Sequence, residues 1–295
     1  MSEPQSVHWY PGHMTRTKRQ IEKSLKLVDI AAEMIDARVP VSSRNPVLDS
    51  LIQNKPRVIL MNKSDLADPA QTERWIRFYQ SQGISAVALD SRSGKNLKAF
   101  FPLVRDVLSE RIAAWRAKGM VGRPIRVMVV GVPNVGKSSF INKLSRGGKA
   151  NVEDRPGVTR SNQWFTLGGG FELLDTPGVL WPKFEDPLVG ERLAFTGAVK
   201  DDVLDTEHLA ARLLEVLCVS YPAPLKERYK LQEIDFTGMK GYEVLALIGK
   251  KRGMLVPGGE VDTERAAITV LDEFRGAKLG RVTLEQVQKL SLIHI

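Results

Sequence analysis

Residues Gly131-Val-Pro-Asn-Val-Gly136-Lys137-Ser138 follow directly on the apolar run Ile125–Val130. A buried strand, a glycine-bounded turn, then a lysine and a hydroxyl wrap backbone N–H groups around phosphate oxygens at a helix N-terminus. In such a loop Lys137 reaches the β- and γ-phosphates and Ser138 offers its hydroxyl to Mg²⁺. Asn134, Val135, Gly136 and Ser139 complete the lining. A glycine turn without a ligand would share the glycines, but the strand before and the helix after favour the phosphate reading.

About forty residues later, Asp175-Thr-Pro-Gly178 closes the apolar run Phe171–Leu174. An acid at the carboxyl end of a strand is where a phosphate-loop enzyme holds its Mg²⁺ shell, and Gly178 could bring its N–H close to the γ-phosphate. Alone this tetrad is an ordinary turn; its distance from the phosphate loop gives it meaning. Asn62-Lys63-Ser-Asp65 closes another apolar run, Arg57–Met61. A carboxylate there accepts from N1–H and the N2 amino group of guanine, a pair adenine lacks, so Asp65 selects GTP over ATP. Asn62 would brace the loop and the stem of Lys63 would lie over the purine. Asp90-Ser91-Arg-Ser-Gly94, with Ser91 as its contact residue, resembles a loop whose backbone approaches guanine O6.

The order of these motifs is informative. The two base-reading segments, 62–65 and 90–94, precede the phosphate loop at 131–138, whereas an ordinary GTPase has them last. A circular permutation is tolerated by a sheet whose termini are neighbours. The chain resembles the circularly permuted GTPases, most closely the bacterial ribosome biogenesis GTPase A family. The carrying segments include His8-Trp-Tyr-Pro-Gly-His13-Met14, Asp36-Ala-Arg-Val-Pro40, Ser43-Arg-Asn-Pro46 and Gly131–Ser138. Arg155-Pro-Gly-Val-Thr159, Asp175–Gly178, Leu180-Trp-Pro-Lys-Phe184 and Lys226-Glu-Arg-Tyr229 extend the likeness over residues 8 to 287. The resemblance implies GTP and GDP as substrate and product, a GTPase activity stimulated by the ribosomal subunit, and a role in late assembly of the large (50S) subunit with contact to its rRNA.

It also implies residue roles. The position after Asp175–Gly178 is Val179, which cannot hydrogen-bond to water where many GTPases carry a glutamine. The resemblance points to His13 as the group that orients the attacking water; a lone histidine that merely packs or faces solvent reads the same in sequence. Thr159 is the expected switch threonine, adding a hydroxyl to Mg²⁺ beside Ser138 and Asp175 and a backbone N–H to the γ-phosphate. Related GTPases ligate K⁺ at the position of Asn134, where an asparagine that only stiffens the loop is the alternative.

Certain elements must position these groups. Apolar runs Val28–Ile35, Arg57–Met61, Ile84–Leu89 and Ile125–Val130 alternate with helical spacing over Pro46–Gln53, Pro69–Gln82 and Leu97–Arg116. That alternation predicts an α/β fold, a mostly parallel sheet with helices on both faces. Runs Asn162–Leu167 and Phe171–Leu174 flank Gly168–Gly170 and predict a hairpin. Ile21, Leu25 and Val28 give the segment Met14–Leu27 an apolar stripe on a basic helix. Beyond Pro187 the spacing is helical throughout, over Leu188–Phe195, Thr206–Val219, Tyr242–Lys250 and Thr263–Phe274. The expected division is a permuted G domain over residues 1–185, basic helix included, and an all-α domain with an rRNA contact over 186–295.

Composition narrows the class. The chain has 295 residues, 43% hydrophobic and 26% charged, so a disordered chain is excluded. No apolar run reaches the ~18 residues of a membrane span. The single Cys218 excludes an internal disulfide framework and a cysteine-cluster zinc site. With no visible targeting segment, a cytoplasmic monomer without membrane attachment is expected. The net charge of +9 includes seven basic residues between Lys98 and Arg126 against two acids, and Lys250-Lys251-Arg252. Such clusters suit rRNA phosphates, with ribosomal proteins as further contacts, although solvated helix faces look alike. Two other readings stay open: an RNA-bound GTP timer with little intrinsic turnover, and a small-subunit assembly GTPase. The latter group usually carries an added barrel and zinc ligands, which one cysteine does not supply.

Overall fold

The computed structural model describes residues 19–52, 55–146, 151–153, 163–176, 178, 186–199 and 205–287. Seven strands form one sheet in the order β3-β2-β1-β4-β7-β6-β5. These are β1 (Ile30–Asp36), β2 (Arg57–Asn62), β3 (Ser85–Ala88), β4 (Ile125–Val130), β5 (Asn151–Glu153), β6 (Gln163–Leu167) and β7 (Phe171–Asp175). The first five in that spatial order are parallel, and β6 and β5 continue the sheet antiparallel through the hairpin at Gly168–Gly170.

Every residue of β1 is buried, as a parallel strand covered on both faces requires. The two-residue period splits the strands cleanly. Ile30, Ala32, Met34, Val58, Leu60, Val127 and Val129 face one side, where Leu97, Phe100, Val104 and Phe140 cover them. Ala31, Met128, Val130 and Leu174 face the other, under Ile21, Leu25, Leu48 and Ile52. Beside them Ile35, Ile59, Met61 and Ala86 pack on Trp75 and Tyr79. The stripe expected on the basic helix α1 is therefore a core contact: residues 19–25 are helical, with Arg19, Lys23 and Lys26 exposed.

The covering helices are α2 (Pro46–Ile52), α3 (Pro69–Ser81), α4 (Phe100–Val107), α5 (Ser109–Ala117) and α6 (Lys137–Arg146). Asp68 caps α3 by accepting from the backbone N–H groups of Ala70 and Gln71, with Pro69 in the first turn. The single helix expected over Leu97–Arg116 is instead a 3₁₀ turn (Leu97–Ala99), α4 and α5, separated at Leu108. Leu108 is buried, whereas α5 buries no residue fully and meets the core through the half-buried Ile112 and Trp115, with no proline or glycine to signal the break.

Among the described residues α7 (Pro187–Phe195), α8 (Thr206–Ser220), α9 (Pro222–Tyr229), α10 (Gly241–Lys251) and α11 (Thr263–Arg275) follow. Helix α8 packs on α10 and α11 around Leu209, Leu213, Leu245, Ile248, Val270 and Leu271. This apolar cluster is continuous with one face of the sheet. Two prolines in Pro222-Ala-Pro224 hide α9 from sequence reading, yet both occupy its first turn, where a missing N–H costs nothing. After α11 the chain returns to the sheet: the Val282 N–H donates to the Leu66 carbonyl and the Leu284 N–H to the Arg38 carbonyl.

Candidate nucleotide-binding site

The carboxyl ends of β1, β2, β4 and β7 meet at one edge. Register places Asp36 beside Asn62 and Val129 beside Asp175. Strand order switches between β1 and β4: β1–β3 lie to one side of this point and β4–β7 to the other, while β1 and β4 themselves stay parallel. Crevices at such a point receive ligands in open α/β sheets.

The phosphate loop runs from β4 into α6. A Cβ on Gly131 would lie 2.3 Å from the Met34 carbonyl oxygen, so the loop leaves the sheet through a gap only glycine fits. Gly136 has φ +106°, and a Cβ there would stand 2.3 Å from Nδ2 of Asn62. Lys137 begins α6, is 7% exposed, and donates from Nζ to the carbonyls of Gly131 and Val132, both at 3.0 Å. Burial pulls its pKa down to about 8 against the opposing pull of Asp175. A buried ammonium whose two hydrogen bonds among the described residues go to carbonyls is poised for phosphate oxygens. Val135 is buried, while Ser138 and Ser139 are exposed in the first turn of α6.

Asn62 joins the two halves of the site. Its Nδ2 donates to the Val135 carbonyl at 2.7 Å and its Oδ1 accepts from the Ser91 N–H at 2.9 Å. One buried amide thus fixes the phosphate loop and the last base loop together. Asp90 shapes that second loop by accepting from the N–H groups of Arg92 and Ser93. Lys63 sits at φ +58°, and its Nζ lies 3.1 Å from Asp36 Oδ2. Asp65 is exposed at the rim, its pKa raised by partial burial and by the charge of Asp90.

The metal side is consistent with its expected ligands. Asp175 Oδ1 is buried and has no hydrogen-bond partner among the described residues. Burial raises its pKa, with Lys137 opposing. An orphaned carboxylate oxygen and an exposed serine hydroxyl are oxygen donors of the kind a hard divalent cation takes. The Thr176 hydroxyl donates to the Val129 carbonyl and ties this turn to β4. A Cβ on Gly178 would lie 2.8 Å from Pro133 Cα and 3.1 Å from Lys137 Nζ, so its backbone rides directly on the phosphate loop. His13, Thr159 and Val179 lie outside the described residues.

The model of the family described as 50S ribosome-binding GTPase matches residues 126–240. The ribosome biogenesis GTPase A of Priestia megaterium is 47% identical over 281 residues, covering 95% of this chain and 96% of the relative. The chain belongs to the ribosome biogenesis GTPase A family. Its relative of the same name in Thermotoga maritima is 31% identical across 97% of the chain and 96% of the relative. Among solved structures, GDP-bound TM YlqF superposes with a TM-score of 0.65 at 30% identity, covering 92% of this chain and 100% of that one. The protein is thus a P-loop GTPase that binds GTP and GDP, as the motifs predict.

Three features of this GTPase escape motif reading. Asp36, read only as part of the family likeness, is clamped by Arg38 through Nε at 3.0 Å and Nη2 at 2.7 Å. Burial alone would raise its pKa, but Arg38 and Lys63 outweigh that and hold the carboxyl below its ordinary range. It therefore stays charged and anchors Lys63. Second, Asn134 at φ +56° donates from Nδ2 to the Gly197 carbonyl just beyond α7, at 2.9 Å. Third, residues 281–283 grip the loop that carries Asp65. The DARxP segment was visible in sequence; the other two join residues more than sixty positions apart and left no local signal.

Proposed function

We propose that this GTPase is an assembly factor for late maturation of the large (50S) ribosomal subunit, binding the precursor and its rRNA in a GTP-dependent way. The observation that carries the partner is the match to the 50S ribosome-binding GTPase model over residues 126–240, which run from β4 into the helical module. The family names of the relatives point the same way. The GTP dependence is supported by Asn134, which bonds the phosphate loop to the end of α7. Among the described residues no helix is long and apolar enough to cross a membrane; we take the factor to act as a cytoplasmic monomer.

In this reading Lys137 leaves its two carbonyl partners to meet the β- and γ-phosphates, and Asp65 holds the guanine edge. Asn62 fixes the distance between those two ends. Ser138, Asp175 and Thr159 would hold Mg²⁺, which supplies positive charge to the phosphate oxygens when bound. Because Asn134 commits its nitrogen to Gly197, its Oδ1 remains the atom to face K⁺. Val179 cannot orient water, so His13 takes that role once the subunit positions it, and intrinsic turnover is low.

Lys98, Arg116, Lys118, Lys250 and Lys251 are exposed and suit rRNA phosphates. Other basic residues of the same clusters are engaged within the fold: Arg105 with the Gly169 carbonyl, Arg123 with Asp29, Arg126 with Glu172 and Arg252 with Glu273. GTP turnover measured with and without purified large subunits tests the proposal. Stimulation by large subunits that His13→Ala abolishes, with GDP affinity unchanged, is expected. Turnover indifferent to large subunits would refute it, and equal rates in K⁺ and Na⁺ would remove potassium.

A further inference from the structure

The loop from Lys63 to Asp68 carries the guanine-reading Asp65, yet much of its backbone is held from the far end of the chain. Arg281 donates from Nη2 to the Ser64 carbonyl at 2.6 Å and from Nε to the Ala67 carbonyl at 2.9 Å. The Val282 N–H donates to the Leu66 carbonyl at 3.1 Å, and the Asp68 N–H donates to Thr283 Oγ1 at 3.1 Å. Four backbone groups on both sides of Asp65 thus bond to three consecutive residues that follow α11.

The strap is itself anchored. Glu285 is buried and accepts from the N–H groups of Val41 and Ser42, from the Ser42 hydroxyl, and from Arg192 at 3.2 Å. The Glu285 carbonyl accepts from Trp75 Nε1 at 2.8 Å. Tyr221, just after α8, donates to the Thr283 carbonyl at 3.1 Å and accepts from the Thr283 N–H at 3.2 Å. The strap is therefore fixed to α3, α7 and the α8–α9 junction at and just beyond the residues that hold the base loop.

A guanidinium that spans two carbonyls three residues apart sets the curvature of the turn between them. A planar fork does this with both bonds directed, whereas an ammonium is a point donor. Lys63, in the left-handed region at φ +58°, opens that turn, and Asp65 rides at its crest. Aside from these bonds, the Ser64 N–H to Leu89 carbonyl and the Leu66 N–H to Lys63 carbonyl bonds hold the loop.

We infer that Arg281 is a positioning residue for guanine recognition: by bridging the Ser64 and Ala67 carbonyls, the strap after α11 aims the Asp65 carboxylate at the purine edge. The helical module thereby contributes to base selectivity, although no residue of it belongs to a nucleotide motif. The inference rests on the reading of Asp65 as the guanine ligand, and the test separates the two.

The measurement is the affinity of full-length protein for GDP, IDP and GMP by fluorescence competition, with melting temperature recorded. IDP lacks the N2 amino group, so the IDP-to-GDP ratio of Kd reads the Asp65 contact; the GMP-to-GDP ratio reads the phosphate end. In the parent the first ratio is about tenfold, the worth of one charged hydrogen bond. Arg281→Met is expected to weaken GDP about tenfold and bring the IDP-to-GDP ratio near one, leaving the GMP-to-GDP ratio in place. Arg281→Lys, which keeps the charge but not the fork, is expected to fall between parent and Met, and serves where the Met variant does not fold. An unchanged IDP-to-GDP ratio in the Arg281 variants, or equal weakening of all three ligands, overturns the inference. Asp65→Ala must collapse the same ratio; if it does while Arg281 variants keep theirs, Asp65 stands and the strap's role is refuted. If Asp65→Ala keeps the ratio, both readings fall.

Discussion

Asn62 shows how much one side chain can decide in a nucleotide site. Its amide bonds the phosphate loop through Val135 and the last base loop through Ser91, so losing it frees both ends at once. Asn62→Ala should weaken GDP binding by about 10- to 100-fold, since two buried partners are left unsatisfied. Asn62→Asp should be worse, because a carboxylate would face the Val135 carbonyl; a titration in which Asp binds better than Ala would contradict this. Lys137 gives the site a pH signature. Its pKa in the folded protein is lowered by burial to about 8 from the ordinary 10.5, so the nucleotide-free loop loses its positive charge above about 8. Nucleotide affinity should therefore fall as pH rises through that value. Stability of the nucleotide-free protein should rise over the window from about 8 towards 10.5, because there the unfolded chain binds the extra proton. Affinity and melting temperature measured across pH should thus move in opposite directions.

At the scale of elements, the carboxyl ends of β2, β4 and β7 deliver Asn62, the phosphate loop and Asp175 to one edge, and Gly178 returns the switch turn onto Pro133. A methyl at Gly178 would stand 2.8 Å from Pro133 Cα, against backbone that cannot yield as a side chain can. Gly178→Ala should cut GTP turnover at least tenfold while GDP affinity stays within a few-fold, if the turn meets the γ-phosphate as proposed. Equal loss for GDP would show that the turn serves both nucleotides. Six of the described strands were legible in the sequence because buried strands are apolar runs, and Ile125–Val130 was located to the residue; the three-residue β5 in a polar segment was not read. The motifs followed because each sits on a strand end. What stayed hidden was set by tertiary context. The break at Leu108 has no breaker residue, α9 carries prolines that read as a stop, and the bonds of Asn134 and Arg281 join distant segments.

Across the whole molecule, the end of α7 is one place where the sheet and the C-terminal helices meet. Carbonyls at and just beyond its C-terminus, where the helix dipole is negative, accept from three directions. Arg275 bonds Ala194 and Phe195, Arg38 bonds Thr196 at 3.4 Å, and Asn134 bonds Gly197. Arg38 also stacks 5.4 Å from the Phe274 ring, so the Asp36–Arg38 pair couples β1 to α7 and α11. Asp36→Ala should cost about 3–5 kcal/mol of unfolding free energy in urea, since it leaves the Arg38 guanidinium buried without its counter-charge. A loss below 1 kcal/mol would show that the pair is not the joint described. Because Asn134 of the phosphate loop bonds Gly197 and the base loop bonds residues 281–283, a change at the nucleotide has short routes to the surface proposed to meet the ribosome. The most direct test of that account is co-sedimentation of the protein with separated ribosomal subunits in GDP and in a non-hydrolysable GTP analogue. Retention on large subunits with the analogue, release with GDP and no retention on small subunits are expected. Equal retention in both nucleotides, or preference for the small subunit, would contradict it.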